Sequence, residues 1–171
     1  MKRIGESKPD GYTIFTSNVD DQFQKSGFDE NLIYECHGSI HYLQCMKPCC
    51  NEVWPAKFTP NIDINTCTFL GALPRCEYGY GYARPNIKRF DDYHWISDRC
   101  KRQNMEQKKW LNSAENPVII EIGAGTDMEI VRHFSHEISR FDGDYIIRIN
   151  PTDCKARSKE DIGLASGALQ S

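Results

Sequence analysis

Five of the eight cysteines fall within one stretch, at Cys45, Cys49, Cys50, Cys67 and Cys76, while Cys36, Cys100 and Cys154 stand apart. Thiolates are good ligands for zinc, and four of them close a tetrahedral structural site. A clustered set is what a single ion requires. Cys45 and Cys49 form one pair, with Cys50 able to substitute. The second pair is irregular, because Cys76 is followed three positions later by Gly79 and not by a cysteine; Cys67 is the nearest replacement. A degraded site with free thiols is the alternative reading of the same residues.

A second candidate is His37, lying between the apolar run Leu32-Ile33-Tyr34-Glu35-Cys36 and Gly38-Ser39. Its ring, with an unperturbed pKa of about 6.5, suits general-base work near neutral pH, although a lone histidine is more often a structural hydrogen-bonding group. Asn18 and Asp20 offer an amide and a carboxylate on a polar loop. Such groups could read a carboxamide or ribose hydroxyls, or could simply satisfy the turn backbone. The third candidate is Gly123-Ala124-Gly125. A glycine turn between a strand and a helix exposes backbone N–H groups and the positive helix end to a phosphate or ribose. It is equally a tight turn without ligand, since the full dinucleotide fingerprint wants a third glycine and Met128 stands there.

The elements that must position these groups are partly readable. Tyr12–Thr16 and Leu32–Cys36 are short β-prone runs, each ending in turn residues. From Cys45 to Pro85 the chain is rich in Pro, Gly, Asn, Cys and aromatic residues without sustained periodicity, which predicts a loop-rich insert held by a staple. Ser97–Leu111 reads as a polar surface helix whose main apolar residues are Met105 and Trp110. Pro117–Ile122 is a β-branched strand, followed by the glycine turn. A helix is then expected from a capping box at Thr126 and Glu129, with Met128, Val131, Phe134 and Ile138 on its apolar face. Tyr145–Ile149 is a second such strand ending at Asn150-Pro151, so Val118–Ile149 reads as one βαβ unit. His133 and His136 read as helix residues, and no repeat is evident; the tail after Lys155 is poorly patterned.

A chain of 171 residues fits one domain with a small insert. With 21 basic and 24 acidic residues and a net charge of −3, there is no electrostatic case for nucleic acid or an anionic membrane. No apolar run approaches the roughly 20 residues of a membrane span, and the first residues lack the apolar core of a signal peptide. A cytoplasmic protein with reduced, metal-binding thiols is therefore expected over a disulfide-rich secreted domain.

Taken in order, these motifs resemble those of the sirtuin family. Thr16-Ser17-Asn18-Val19-Asp20, Glu35-Cys36-His37-Gly38-Ser39, the paired cysteines, and Gly81-Tyr82-Ala83-Arg84-Pro85-Asn86-Ile87-Lys88-Arg89-Phe90-Asp91-Asp92 follow one another as sirtuin motifs do. Ile122-Gly123-Ala124-Gly125 is similar to the family's Gly-Thr-Ser loop, and Ile149-Asn150 to its ribose-contacting strand end, so the resemblance covers roughly Tyr12–Pro151. It implies an α/β fold: a partial Rossmann-like parallel sheet over residues 1–40 and 92–171, with a small zinc-ribbon-like module at 41–91. It implies NAD and zinc as cofactors and an acyl-lysine protein as substrate, with nicotinamide, free lysine and O-acyl-ADP-ribose as products. His37 would be the general base; Asn18 and Asp20 would lie around the nicotinamide and its ribose; Gly123, Gly125 and Asn150 would lie around the other ribose and phosphates; Cys45, Cys49, Cys67 and Cys76 would hold zinc. The family has glutamine at Ser17, cysteine at Gly79 and glycine at Asp91. Its glycine-rich pyrophosphate loop and following Asp-Phe-Arg segment have no counterpart in Met1–Gly11, so weak NAD binding is expected of an amino-terminally truncated sirtuin. A non-catalytic, zinc-stapled module binding ADP-ribose or a protein partner is the alternative.

Overall fold

Short runs of β-branched and aromatic residues become short strands, and a computed structural model of the protein describes them over residues 1–139 and 145–168. The described chain divides into two units. The first comprises Met1–Gly5 and Tyr12–Lys108, the second Glu6–Gly11 and Lys109–Ser171.

In the first unit β1 (Ile14–Thr16) and β2 (Ile33–Glu35) pair in parallel, with Ile14 opposite Ile33 and Thr16 opposite Glu35. A short helix α1 (Lys2–Glu6) precedes them and α2 (Gln22–Lys25) lies between them. The chain then turns into β3 (Gly38–Cys45), the centre of an antiparallel sheet ordered β4-β3-β7 with β4 (Val53–Pro55) and β7 (Ala83–Ile87). Its core is Leu43, Cys45, Trp54, Cys76 and Ala83. The cysteine-rich insert adds only a small hairpin, β5 (Ile62–Asp63) and β6 (Thr68–Phe69). A loop-rich insert with little periodicity is thus what forms, because its order comes from a few core side chains and not from long strands.

The expected polar helix is present as α3 (Asp98–Ser113), and the face it turns inward is itself largely polar. Met105 is 59 % exposed, and Cys100 and Gln107 are the buried residues. Within the first unit α3 is fixed by hydrogen bonds: Gln107 donates to the Ile14 carbonyl (2.9 Å), Gln103 accepts from the Glu35 N–H (3.2 Å), and the Cys100 thiol donates to the Glu35 carbonyl (3.2 Å). The Glu35 carboxylate, 1 % exposed as a residue, pairs with Arg99. Apolar periodicity could not find this face, because polar groups build it.

In the second unit β8 (Val118–Ile122), α4 (Ile130–Ile138) and β9 (Tyr145–Ile149) make the expected parallel βαβ unit. Two differences stand out. The helix begins at Ile130, with Glu129 as a cap that makes no side-chain bond, and Met128 lies outside it, 50 % exposed. The expected capping box at Thr126 therefore does not form; instead the segment after Gly125 stays a loop. The unpatterned tail supplies a third parallel strand, β10 (Ile162–Leu164), at the far edge of β9. All three of its residues are exposed, so it has no alternation to betray it. No helix among the described residues is long and apolar enough to cross a membrane.

Asp91 has φ 52°, in the left-handed region, where the resemblance implies glycine. A β-carbon there is strained, although Asp tolerates it better than most residues. Asp91→Gly is expected to raise stability by about 0.5–1 kcal/mol in urea unfolding.

Candidate functional site

His37 sits with Cys36 in the tight turn between β2 and β3. The turn demands glycine next: Gly38 has φ 82°, and a β-carbon on it would lie 1.9 Å from the Asn86 carbonyl oxygen. The His37 carbonyl in turn accepts the Lys88 N–H at 2.9 Å. Behind this turn, buried Gln44 and Asn86 bond each other (2.8 Å) and the backbone of Ile96, closing β3 and β7 onto the chain before α3. The Arg84–Asp92 pair (2.8 Å), both side chains under a tenth exposed, pins the segment after β7. Burial works to raise the Asp92 pKa, but the bond and charge of Arg84, with those of Arg89, hold it below the usual value.

The loop after β1 runs alongside the same turn. Cys36 N–H donates to the Thr16 carbonyl (3.0 Å) and Ile40 N–H to the Val19 carbonyl (2.9 Å), so Thr16–Asp20 is laced to both sides of His37. The imidazole is half-buried, and its pKa is lowered by burial and by the Lys88 ammonium, against a hydrogen bond with the Ser17 backbone. It is therefore neutral at neutral pH and able to accept a proton. Asn18 is exposed, its N–H held by the Thr16 hydroxyl at 3.1 Å. Asp20 carries a buried Oδ1 with no hydrogen-bond partner among the described residues. A buried carboxylate oxygen left unpaired is costly, and a donor such as a carboxamide NH₂ or a sugar hydroxyl would satisfy it.

The cysteines sort unequally. Cys45, Cys49 and Cys76 bring their sulfurs within 4.8 Å of one another, Cys49 and Cys76 to 3.5 Å. Cys67 lies outside this group: it is exposed, in the β5–β6 turn with φ 52°, its sulfur 3.9 Å from the Ile64 carbonyl. Cys50 is half-buried against the apolar core. Three soft thiol donors converging in this way suit zinc, with Cys45 at the end of β3 and Cys76 on the shared core.

In the second unit the loop Gly123–Glu129 is shaped by carbonyl contacts. The Arg132 guanidinium donates to the Ala124 carbonyl (3.1 and 2.9 Å) and to the Asp153 carbonyl (2.6 Å). Asn150, 6 % exposed, donates to the same Ala124 carbonyl (3.0 Å), while its Oδ1 accepts the N–H groups of Thr152 and Asp153. One amide hydrogen and the amide oxygen thus tie Asn150 to the protein, so Asn150 holds the loop. Gly123 (φ 67°) and Gly125 have open space where β-carbons would be, leaving room for a ligand to approach the backbone.

Several supporting residues gave no sequence signal. Arg99, Gln103, Gln44 and Arg132 are polar side chains whose burial or backbone contacts depend on segments distant in the chain, and residue type alone does not show that. Lys88 is an exception in part, since it lies inside the motif Gly81–Asp92.

Within the first unit the unpaired Asp20 oxygen and the half-buried His37 ring are groups able to meet an amide or a sugar hydroxyl, and within the second the open Gly123–Gly125 backbone is able to meet a sugar or a phosphate. The Sir2 family model matches residues 3–126. Two solved structures align with 92 % of this chain and are covered to 58 % of their own length. One, from work on the structural basis of sirtuin substrate affinity, has 17 % identity and a TM-score of 0.61; the other, from work on the mechanism and regulation of Sir2 enzymes, has 19 % and 0.58. No curated protein matches the sequence. The fold is thus the sirtuin α/β fold, with parallel sheets and a cysteine cluster able to form a zinc site. A family match over more than half the chain, on a fold of that kind, places this protein in the Sir2 family.

Proposed function

We propose that this chain works in NAD-dependent removal of acyl groups from protein lysine, with His37 as general base. The observation that carries the reading is the half-buried, neutral imidazole laced to the Thr16–Asp20 loop, where Asp20 keeps an unpaired acceptor. NAD, if bound, would supply an electrophilic anomeric carbon with nicotinamide as its leaving group. His37 accepts a proton from a hydroxyl of the nicotinamide ribose at a ring nitrogen, and burial, followed by the Lys88 charge, keeps the ring from being protonated beforehand. Asp20 accepts a hydrogen bond from the carboxamide or ribose, and Asn18 offers its exposed amide nearby in sequence. In the second unit Gly123 and Gly125 present backbone to ribose and phosphate, and Asn150 keeps their loop in shape. Cys45, Cys49 and Cys76 hold zinc, which stabilises the module and makes or breaks no substrate bond.

Calorimetry with NAD and with ADP-ribose, followed by nicotinamide release in the presence of an acyl-lysine peptide, tests this. Heat with both ligands and peptide-dependent release are expected. Heat without release would make the chain an ADP-ribose-binding module, and heat with neither ligand would end the nucleotide reading altogether.

A further inference from the structure

Three protein thiols leave a tetrahedral ion one ligand short, and the segment packed closest to them brings no side chain. A β-carbon at Gly79 would stand 2.7 Å from the Cys49 sulfur, and one at Gly81 would stand 3.2 Å from the Cys45 sulfur. The strand-to-strand segment after Cys76 therefore passes directly over the cluster, at a residue that brings no side chain. Neither remaining cysteine of the insert joins the trio: Cys67 is exposed in the β5–β6 turn, and Cys50, although it packs on the core that Cys45 and Cys76 belong to, does not bring its sulfur within 4.8 Å of all three. Cys45 and Cys76 are buried, 1 % and 5 % exposed, whereas Cys49 is exposed, so the cluster is reached from solvent on the Cys49 side. Closed zinc sites carry four protein ligands, and sites with three keep a position for an exchangeable ligand.

We propose that Cys45, Cys49 and Cys76 form a three-thiolate zinc centre whose fourth position, for which Gly79 brings no side chain, takes a small monodentate thiol from solution on the exposed Cys49 side. Three thiolates make the metal a soft, weakly acidic centre that favours sulfur over water. On binding, a zinc–sulfur bond forms, a neutral water leaves, and the thiol proton passes to the buffer. No oxidation state changes. The zinc is then held more tightly when small thiols are abundant and is yielded more readily to chelators when they are scarce. The inference rests on reading the trio as a zinc site and is independent of the NAD chemistry.

The test uses Co(II) in place of zinc on the whole chain, reduced and then freed of thiol under argon. Sulfur-to-cobalt charge-transfer absorbance scales with the number of thiolates bound. Per cobalt, it is expected to be about three-quarters of that of Gly79→Cys, which supplies the fourth protein ligand. Adding 2-mercaptoethanol should raise the native chain to the Gly79→Cys intensity in a saturable way and leave Gly79→Cys unchanged. Zinc transfer to a chelator should likewise be slowed by the thiol in the native chain alone. A native spectrum already at four-thiolate intensity, removed by Cys50→Ser or Cys67→Ser, would overturn the inference, as would indifference to added thiol. Failure to take up Co(II) at all would count against both the inference and the zinc reading beneath it.

Discussion

His37→Ala is expected to reduce peptide-dependent nicotinamide release by about 100- to 10,000-fold, the usual worth of a positioned general base. The heat of ADP-ribose binding should change far less, because the ring is proposed to move a proton in the reaction and not to supply the main grip on the ligand. Release surviving at near-native rate would remove His37 from the mechanism. The pH dependence is a second, independent handle. Burial and Lys88 lower the His37 pKa, so the base form predominates through neutrality and the acid limb of the rate profile should lie below about 6.5. Lys88→Met removes one of those causes and should move that limb upward. The sign for stability follows from the same shift. The folded protein binds this proton less readily than the unfolded chain, so the contribution is present above the unfolded value of about 6.5 and is lost as pH falls through the lower folded value. An acid limb at or above the ordinary histidine value would contradict the environment described for the ring.

What the sequence made legible follows a physical divide. Tyr145–Ile149 forms a strand with the expected bounds and Val118–Ile122 one that drops only Pro117 from the expected run, because uninterrupted β-branched runs leave little alternative. The turn carrying His37 was marked by Gly38, whose positive φ and contact with Asn86 no other residue tolerates. The start of α4 was misplaced for the opposite reason. Thr126 and Glu129 have the spacing of a cap, but Arg132 and Asn150 both bind the Ala124 carbonyl and hold the preceding loop open. A local signal lost to contacts from elsewhere in the chain. The inward face of α3 was missed because Gln103, Gln107 and Cys100 dock it through hydrogen bonds, which leave no hydrophobic period. In the cysteine cluster the defect at Gly79 was visible, yet the choice of Cys67 as replacement was not supported by placement, since nearness in sequence says nothing about the direction of a hairpin turn. The buried ion pairs had no sequence signature at all, and one of them governs the second unit.

Arg148→Ala is expected to cost about 3–5 kcal/mol, the typical loss when one partner of a buried ion pair is removed. Glu121 and Arg148 stand opposite each other on β8 and β9 and are 2 % and 5 % exposed. The guanidinium binds both Glu121 oxygens, donates to the Lys155 carbonyl (2.8 Å) and lies 3.1 Å from His136 Nε2. Without it, Glu121 is an uncompensated buried charge, and the tail leading to β10 loses an anchor at Lys155. Urea unfolding followed by far-UV circular dichroism should show the loss. The double change Glu121→Leu with Arg148→Met should recover much of it, because matched apolar side chains remove the charge and the desolvation penalty together. His136 supplies a check that a general packing defect would not pass. Its pKa is lowered by burial and then by Arg148 and Arg157, against a raising influence of Glu121. Native stability from this ring is therefore present above about 6.5 and lost as pH falls through its lower folded value. Removing Arg148 relieves part of the depression, so the acid loss should be shallower in Arg148→Ala than in the native chain. A variant within about 1 kcal/mol of native, or a double variant no more stable than the single, would mean that water reaches Glu121 and that the pair does not organise this sheet.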